Sequence, residues 1–207
     1  PLSLVATVLL GLGIGPILTQ SILYFIELQE VVFGGSNREE ILAQGKVQLE
    51  KWRMLPGPLL IIGLSLVPGI VEELFFRGCL FQAFRQKLSP LKTILLTAFL
   101  FGLFHLVTAG QLGISRFIPT MIMGLVLGWV CYKTGSVVPG MILHSIHNAI
   151  TVSLAYYSND LVRMGWLSDD QSRIPWWILA SGVALTLVGT SLVLFLPAKQ
   201  SRQQSSS

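Results

Sequence analysis

Two neighbouring carboxylates and an arginine stand inside an apolar stretch of the chain, Pro68-Gly69-Ile70-Val71-Glu72-Glu73-Leu74-Phe75-Phe76-Arg77-Gly78. A charged side chain near the middle of a membrane helix costs at least ~2.5–3.5 kcal/mol by insertion scales, so its presence points to a function. Glu73 and Arg77 are four residues apart and would pair on one face of a helix. Glu72 is rotated from Glu73 by about 100° and would point elsewhere. The alternative is a structural ion pair with one spare, protonated acid.

All three histidines of the chain also fall in apolar stretches. His105 closes the run Phe101-Gly102-Leu103-Phe104-His105, and the other two belong to the run His144-Ser145-Ile146-His147-Asn148. His144 and Asn148 are four residues apart, so their side chains share a helix face, with His147 nearer its edge. Because each buried histidine needs a hydrogen-bond partner, three of them are difficult to explain by packing alone.

These side chains include groups that could do acid–base chemistry. A carboxylate beside an imidazole, as in Glu72 with His105, is suited to general-base catalysis. An imidazole and an amide that act as donors, as in His144 with Asn148, could stabilise an oxyanion. The sequence therefore combines groups for general-base catalysis with groups that could stabilise an oxyanion.

Two other catalytic chemistries compete with this one. Glu72, His105 and His144 could form a set of two histidines and one carboxylate around a metal ion. The chain contains no His-Glu-x-x-His pair and no local ligand spacing, which weakens the zinc alternative. A serine protease has less support still, because neither Ser145 nor Ser181 stands in a Gly-x-Ser-x-Gly context.

The elements that must position these residues are membrane helices. The mean hydropathy is +0.69 and only 12% of the residues are charged, about half of what a soluble domain carries. Apolar runs that approach ~20 residues must be helical in lipid, where the backbone satisfies its own hydrogen bonds. We predict an all-α bundle of about six spans, with approximate limits Leu2–Ile26, Pro58–Leu80 continuing to Lys87, Leu91–Val107, Phe117–Tyr132, Val137–Tyr157 and Pro175–Leu196.

The remaining segments are polar. We expect a single transmembrane domain over residues 1–197, followed by a disordered Ser/Gln-rich tail at 198–207. The segment Asn37–Leu55 has an apolar face, so it is predicted to be an amphipathic helix that either lies on the membrane or packs on the bundle. The formal net charge is +4, but the basic residues are scattered at helix ends, which argues against nucleic acid as a partner.

Three patterns follow one another on three separate predicted spans: Glu72-Glu73-x-x-x-Arg77, Phe101-x-x-x-His105 and His144-x-x-x-Asn148. In these patterns, over about residues 58–157, the chain resembles the CAAX-protease and bacteriocin-processing family of intramembrane glutamic proteases. Members of that family include the CAAX prenyl endoproteases and bacterial proteins linked to peptide processing. Each pattern alone is weak evidence, whereas the ordered trio is specific.

The resemblance implies an intramembrane endopeptidase that uses water directly and forms no acyl-enzyme. Glu72 would activate the water with His105 sharing the proton, and Glu73 and Arg77 would orient the site. The oxyanion would be held by His144 and Asn148. No cofactor or metal is expected. The expected partners are a membrane-associated peptide or protein substrate and the lipid bilayer. A non-catalytic scaffold or chaperone of a membrane-protein complex is the main alternative, and a zinc protease the lesser one.

Overall fold

The apolar runs of the sequence fold into long helices. The structure is a computed structural model that describes residues 2–33, 37–110, 113–168 and 173–196; the side chains of residues 30, 33 and 37–42 are not described. In these ranges the regular structure is entirely helical, without strands. The predicted tail at 198–207 lies outside them. The helices are α1 (Leu2–Phe33), α2 (Asn37–Arg53), α3 (Gly57–Glu73), α4 (Phe81–Phe84), α5 (Pro90–Thr108), α6 (Gly113–Thr134), α7 (Val138–Tyr156), α8 (Ser158–Arg163) and α9 (Trp176–Leu194).

Five helical stretches in the described ranges are long and apolar enough to cross a membrane. They are Leu2–Gln29, Gly57–Phe84, Pro90–Thr108, Gly113–Thr134 and Trp176–Leu194. The chain is therefore a multi-pass integral membrane protein, and the predicted helical bundle is confirmed. The fifth predicted span corresponds to α7, a helix of 19 residues that is not among the five. Its two histidines and its asparagine lower the hydropathy of the helix. That α7 spans the membrane stays a prediction.

The bundle is organised around α1, which packs against α6, α7 and α9. Its buried residues join side chains of those helices in one core cluster: Ala6, Leu10, Ile14, Leu18, Met123, Leu127, Val130, Leu143 and Val193. Close approach depends on small residues, as is usual between membrane helices. A Cβ added to Gly13 of α1 would lie 2.6 Å from the carbonyl oxygen of Gly182 in α9.

Helix α7 is held against α3 in the same way. A Cβ added to Gly69 would lie 3.0 Å from the backbone nitrogen of Ser145. The adjoining pair of α5 and α6 is also tight, because a Cβ added to Gly124 would lie 2.9 Å from the Cα of Ala98. Three helices that carry the candidate residues, α3, α5 and α7, are thus fixed to one another directly or through α6.

The second spanning helix contains an irregular turn. Helix α3 continues without a break through a π-helical segment, Leu74–Leu80, into α4. In a π-helix each amide bonds five residues back, as Phe81 does to the carbonyl of Phe76. The carbonyl of Arg77 accepts a further hydrogen bond from the side-chain amide of Gln82 at 3.0 Å. Such π turns are frequent at functional sites, and this one begins directly after Glu73.

The predicted amphipathic segment forms α2, whose last residue is Arg53. Among the described side chains of its apolar face, Leu49 and Trp52 are half-buried, whereas Leu55, beyond the helix end, is 49% exposed. Arg53 donates to the hydroxyl of Ser158 at 3.2 Å, which connects α2 to α8. At least the C-terminal end of α2 therefore contacts the bundle.

Candidate active site

Glu73 and Arg77 form an ion pair at the centre of the bundle. Nη1 of Arg77 donates to Oε1 of Glu73 at 2.7 Å, and neither side chain is exposed. Nη2 donates to the carbonyl oxygen of Gly124 at 2.8 Å. The guanidinium carbon lies 4.8 Å from the ring centroid of Phe101, a favourable position for a cation over an aromatic face. The predicted pair is confirmed, and it also connects α3 to α5 and α6.

The carboxylate of Glu73 has a second partner, His144. Nδ1 of His144 lies 3.2 Å from the same oxygen, Oε1, and an ionised carboxylate can only accept, so the ring nitrogen donates. The other oxygen of Glu73, Oε2, is buried and has no hydrogen bond in the part of the chain described. A Cβ added to Gly140 would lie 3.0 Å from it. Glycine at position 140 thus lets α7 approach the carboxylate.

Glu72 points in a different direction from Glu73, as its position on the helix predicts. Its side chain is 19% exposed, and its Oε2 lies 3.8 Å from Nε2 of His105 and 3.9 Å from Nε2 of His144. Both distances are too long for direct hydrogen bonds. The Oε2 atom is nevertheless buried and without a hydrogen-bond partner in the described structure. One carboxylate oxygen therefore faces two imidazoles that come from two other helices.

The orientation of His105 is set within its own helix. Its Nδ1 lies 2.9 Å from the carbonyl oxygen of Phe101, one turn earlier. Because a carbonyl only accepts, Nδ1 must carry a proton, and in the neutral ring Nε2 is then an acceptor. The atom of His105 that faces Glu72 is this acceptor nitrogen.

Phe101 is the aromatic centre of the site, a role that sequence analysis did not assign to it. It is 1% exposed, and its ring centroid lies 4.6 Å from that of His105, 5.6 Å from that of His144 and 5.0 Å from that of Phe76. It also lies under Arg77. The first residue of the Phe-x-x-x-His pattern thus holds both histidines and the arginine in place.

The structure brings Glu72, His105 and His144 together, whereas Asn148 has no described contact with them. Asn148 follows His144 by one turn of α7, is half-buried and makes no hydrogen bond to any described residue. His147 is a neighbour that sequence analysis left without a role; its Nδ1 is buried and unpaired in the described structure. Their roles stay predictions.

Arg116 is a second residue that sequence analysis did not connect with the site, since it precedes the fourth predicted span. The charge of Arg116 interacts electrostatically with Glu72, His105 and His147. The spacing of Arg116 from Thr120, Met123 and Leu127 was the available signal, because these positions share one face of a helix.

A metal site would need at least three suitable ligands close together in the described ranges. Within them, no three side chains of histidine, cysteine, aspartate or glutamate are arranged to hold a metal ion. The grouping of Glu72, His105 and His144 is the nearest candidate that the sequence suggested. Its three side chains face a common space, with Nε2 of His105 and Nε2 of His144 at 3.8 and 3.9 Å from Oε2 of Glu72.

Comparison with known proteins agrees with the resemblance seen in the sequence. A family model described as type II CAAX prenyl endopeptidase, Rce1-like, matches residues 54–150. The search of curated proteins and the search of solved structures gave no match. The matched stretch contains all three ordered patterns and every candidate residue described above. Residues 54–150, the part of the chain that carries the site, are therefore similar to the Rce1-like type II CAAX prenyl endopeptidases.

Proposed function

We propose that the protein is an intramembrane endopeptidase in which Glu72 and His105 activate a water molecule for attack on a peptide carbonyl. The observation that carries this proposal is the buried, unpaired Oε2 of Glu72, 3.8 Å from the acceptor nitrogen of His105. Two acceptors at this separation can share one water, which donates a proton to each. The water oxygen is then left with its lone pairs free for attack, and the proton it loses passes to the glutamate–histidine pair.

The developing oxyanion needs donors on the far side of the attacked carbonyl. His144 is suitably held: its Nδ1 bonds to Glu73, so its Nε2 faces the space near Glu72. With Nδ1 already donating to Glu73, Nε2 can donate to the oxyanion only from a doubly protonated ring, and we propose that His144 acts in that form. We assign the second donor to Asn148, whose amide has no described partner and lies one turn along the same helix. Catalytic hydrogen bonds often tighten only when substrate is bound.

Glu73 and Arg77 support the site in this proposal without touching the reacting atoms. The ion pair fixes α3 against α6 and holds the ring of His144 from behind. A positive charge in this position also offsets the two adjacent carboxylates. The pair is therefore a positioning device for His144, with Phe101 packed against it.

The substrate in this proposal is a membrane-associated peptide. The matched family is described by its prenylated CAAX substrates, and an apolar cavity suits a chain of that kind. The cavity, about 410 Å³ in volume, lies between the C-terminal half of α1 and the adjoining ends of α5 and α6. Its wall includes Leu106, the neighbour of His105, and Phe117. We infer that the apolar part of the substrate occupies this cavity.

The helices outside the matched stretch belong to the same unit in this proposal. Helices α1 and α9 are not covered by the family match, yet α1 shares its core cluster with α6, α7 and α9. We therefore propose that residues 1–197 form one transmembrane domain.

Cleavage of a defined peptide tests the proposed function. The purified protein is reconstituted into lipid vesicles and mixed with a prenylated peptide of the CAAX type, and the products are identified by mass spectrometry. Glu72→Gln should abolish the product, because the amide cannot accept a proton. The matched control is Glu50→Gln on α2, whose side chain is 73% exposed and which should cleave as the unaltered protein does. Equal cleavage by the Glu72 variant would disprove the assigned mechanism.

A further inference from the structure

Arg116 has an inward position that the proposed catalytic residues do not explain. It lies in the first turn of α6, and positions 116, 120, 123 and 127 form one stripe along that helix. The later members of the stripe are buried: Thr120 is 9% exposed, Met123 1% and Leu127 0%. The side chain of Arg116 therefore points toward the interior of the bundle and not toward lipid.

Arg116 also lies at the level of the catalytic histidine. A Cβ added to Gly113 would lie 3.0 Å from the carbonyl carbon of Leu106, and one added to Gly102 would lie 3.0 Å from the carbonyl oxygen of Phe117. Arg116 lies between the two contacts on α6, and His105 lies between the same two contacts on α5. The arginine is thus beside the space that Glu72, His105 and His144 enclose.

No described residue forms a hydrogen bond or an ion pair with the guanidinium of Arg116. No carboxylate in the described structure lies within the 4 Å of an ion pair with Arg116, and its Nε is buried without a hydrogen bond. A buried charged donor left unpaired is costly, which makes it a strong attractor for an anion. The planar fork of arginine matches a carboxylate in particular, since two parallel hydrogen bonds can form.

We propose that Arg116 binds the terminal carboxylate of the substrate peptide and so positions a peptide bond near the chain end at Glu72. This inference rests on the proposed function. An acidic side chain within the membrane part of a substrate would be costly, whereas a chain end carries its charge unavoidably. A lipid phosphate is less suited, because Arg116 faces the bundle interior at the depth of His105. Arg116 is thus a specificity-determining residue for cleavage close to a free C-terminus.

Two synthetic peptides test the inference. Both are prenylated peptides of the CAAX type with the same sequence; one ends in a free carboxylate and the other in an amide. The measured quantity is the ratio of their kcat/KM values in phosphatidylcholine vesicles. We expect the unaltered protein to favour the carboxylate peptide by at least ~10-fold, the value of one hydrogen bond to a charged group. Arg116→Gln should bring the ratio to about one.

Two further variants make the result specific. Arg116→Lys keeps the charge and should retain part of the preference, and it also serves if the Gln variant does not fold. Arg163→Gln is the matched control, because Arg163 is exposed and paired with Asp160 on α8; it should leave the ratio unchanged. If Arg116→Gln slows both peptides by the same factor, the arginine is only a counter-ion for Glu72 and the inference is wrong.

Failure of the proposed function is distinguishable from failure of the inference. If the unaltered protein cleaves neither peptide, the protease function fails for this substrate, and binding of the two peptides, measured by fluorescence anisotropy, still tests Arg116. Tighter binding of the carboxylate peptide that depends on Arg116 supports the inference; equal binding overturns it. Vesicles with added phosphatidylglycerol test the lipid alternative. A response to that lipid that Arg116→Gln removes, with no preference between the peptides, would assign Arg116 to a headgroup instead.

Discussion

Nδ1 of His144 lies 3.2 Å from Oε1 of Glu73, so a histidine of α7 is held by the same carboxylate that pairs with Arg77. The two glutamates therefore have different surroundings although they are consecutive. Glu73 is fully enclosed, and its Oε1 binds both Arg77 and His144, whereas Glu72 is 19% exposed and its Oε2 faces the two imidazoles at 3.8 and 3.9 Å. In the proposed mechanism Glu73 supports the site and Glu72 performs the chemistry. We therefore expect variants of the two residues to behave differently.

Glu73→Gln should reduce stability as well as activity. The substitution leaves Arg77 in a buried position without its charged partner, and breaking one side of a buried pair typically costs ~3–5 kcal/mol. We expect a lower melting temperature and a lower yield from membranes, measured on detergent-purified protein. Glu27→Gln, on α1 and outside the site, is the reference. A Glu73 variant that is fully stable but inactive would show that this residue, and not Glu72, performs the chemistry.

Glu72→Gln should leave the melting temperature close to that of the unaltered protein and reduce turnover by at least ~10². The amide keeps the shape of the side chain, and no hydrogen bond between Oε2 and a described residue is lost. The same variant distinguishes a protease from a scaffold: its cellular role should be lost at an unchanged protein level. If the variant supports that role fully, the scaffold alternative is favoured. Peptides that co-purify with it from native membranes would identify the substrate.

Gly140→Ala should impair the site through contact alone. The added methyl group would lie 3.0 Å from Oε2 of Glu73, so either the carboxylate or α7 has to shift. Because His144 is one turn further along α7, we expect a loss of activity that exceeds the loss of stability, measured by cleavage and thermal unfolding together. Gly63→Ala on α3 is the control, since no atom lies within 4 Å of its added Cβ. Equal behaviour of both variants would contradict the tight packing described.

Phe101→Ala should destabilise the bundle by ~3–5 kcal/mol, as expected for removal of a fully buried aromatic ring. It also removes the ring on which Arg77, His105 and His144 pack. Phe99→Ala, two residues earlier on α5, is the matched control, because its ring is 47% exposed. The free energy of unfolding, measured in mild detergent with increasing denaturant, should be lower for Phe101→Ala than for Phe99→Ala. A small, equal effect would mean that Phe101 is not central to the site.

Removal of metal should leave activity intact if Glu72 and His105 alone activate water. Protein treated with a strong chelator and freed of carry-over metal is assayed with the same peptide, and its metal content is measured by mass spectrometry. Stoichiometric zinc bound through His105 and His144, with activity that returns only on its addition, would support the metalloprotease alternative.

Much of the fold could be predicted from hydropathy, because lipid allows few other solutions for long apolar runs. The pairing of Glu73 with Arg77 was also predictable, since a spacing of four brings two side chains to one helix face. The meeting of Glu72 with His105 and His144 followed only from the ordered family patterns. Spacing within one helix contains no information about the distance between helices.

What the sequence did not reveal depends on contacts between distant residues. Gly140 looked like an ordinary helix glycine until α7 was placed against Glu73. Arg116 precedes an apolar run, where basic residues are expected at a helix end, and its place on the inward stripe of α6 becomes visible only when the helices are packed. The bond between His144 and Glu73 joins residues 71 positions apart, which no local pattern indicates.

The π turn at Leu74–Leu80 determines the direction in which the later side chains of the second span point. Counted at about 100° per residue from Glu73, Phe81 would stand roughly 80° away, beside the lipid-facing direction of Leu74. Leu74 is 51% exposed, yet Phe81 is only 1% exposed. The π turn accommodates one extra residue. Phe81 is therefore rotated to within about 20° of Glu73. The membrane helix thus keeps one continuous inward side only because its periodicity is broken once, at the site itself.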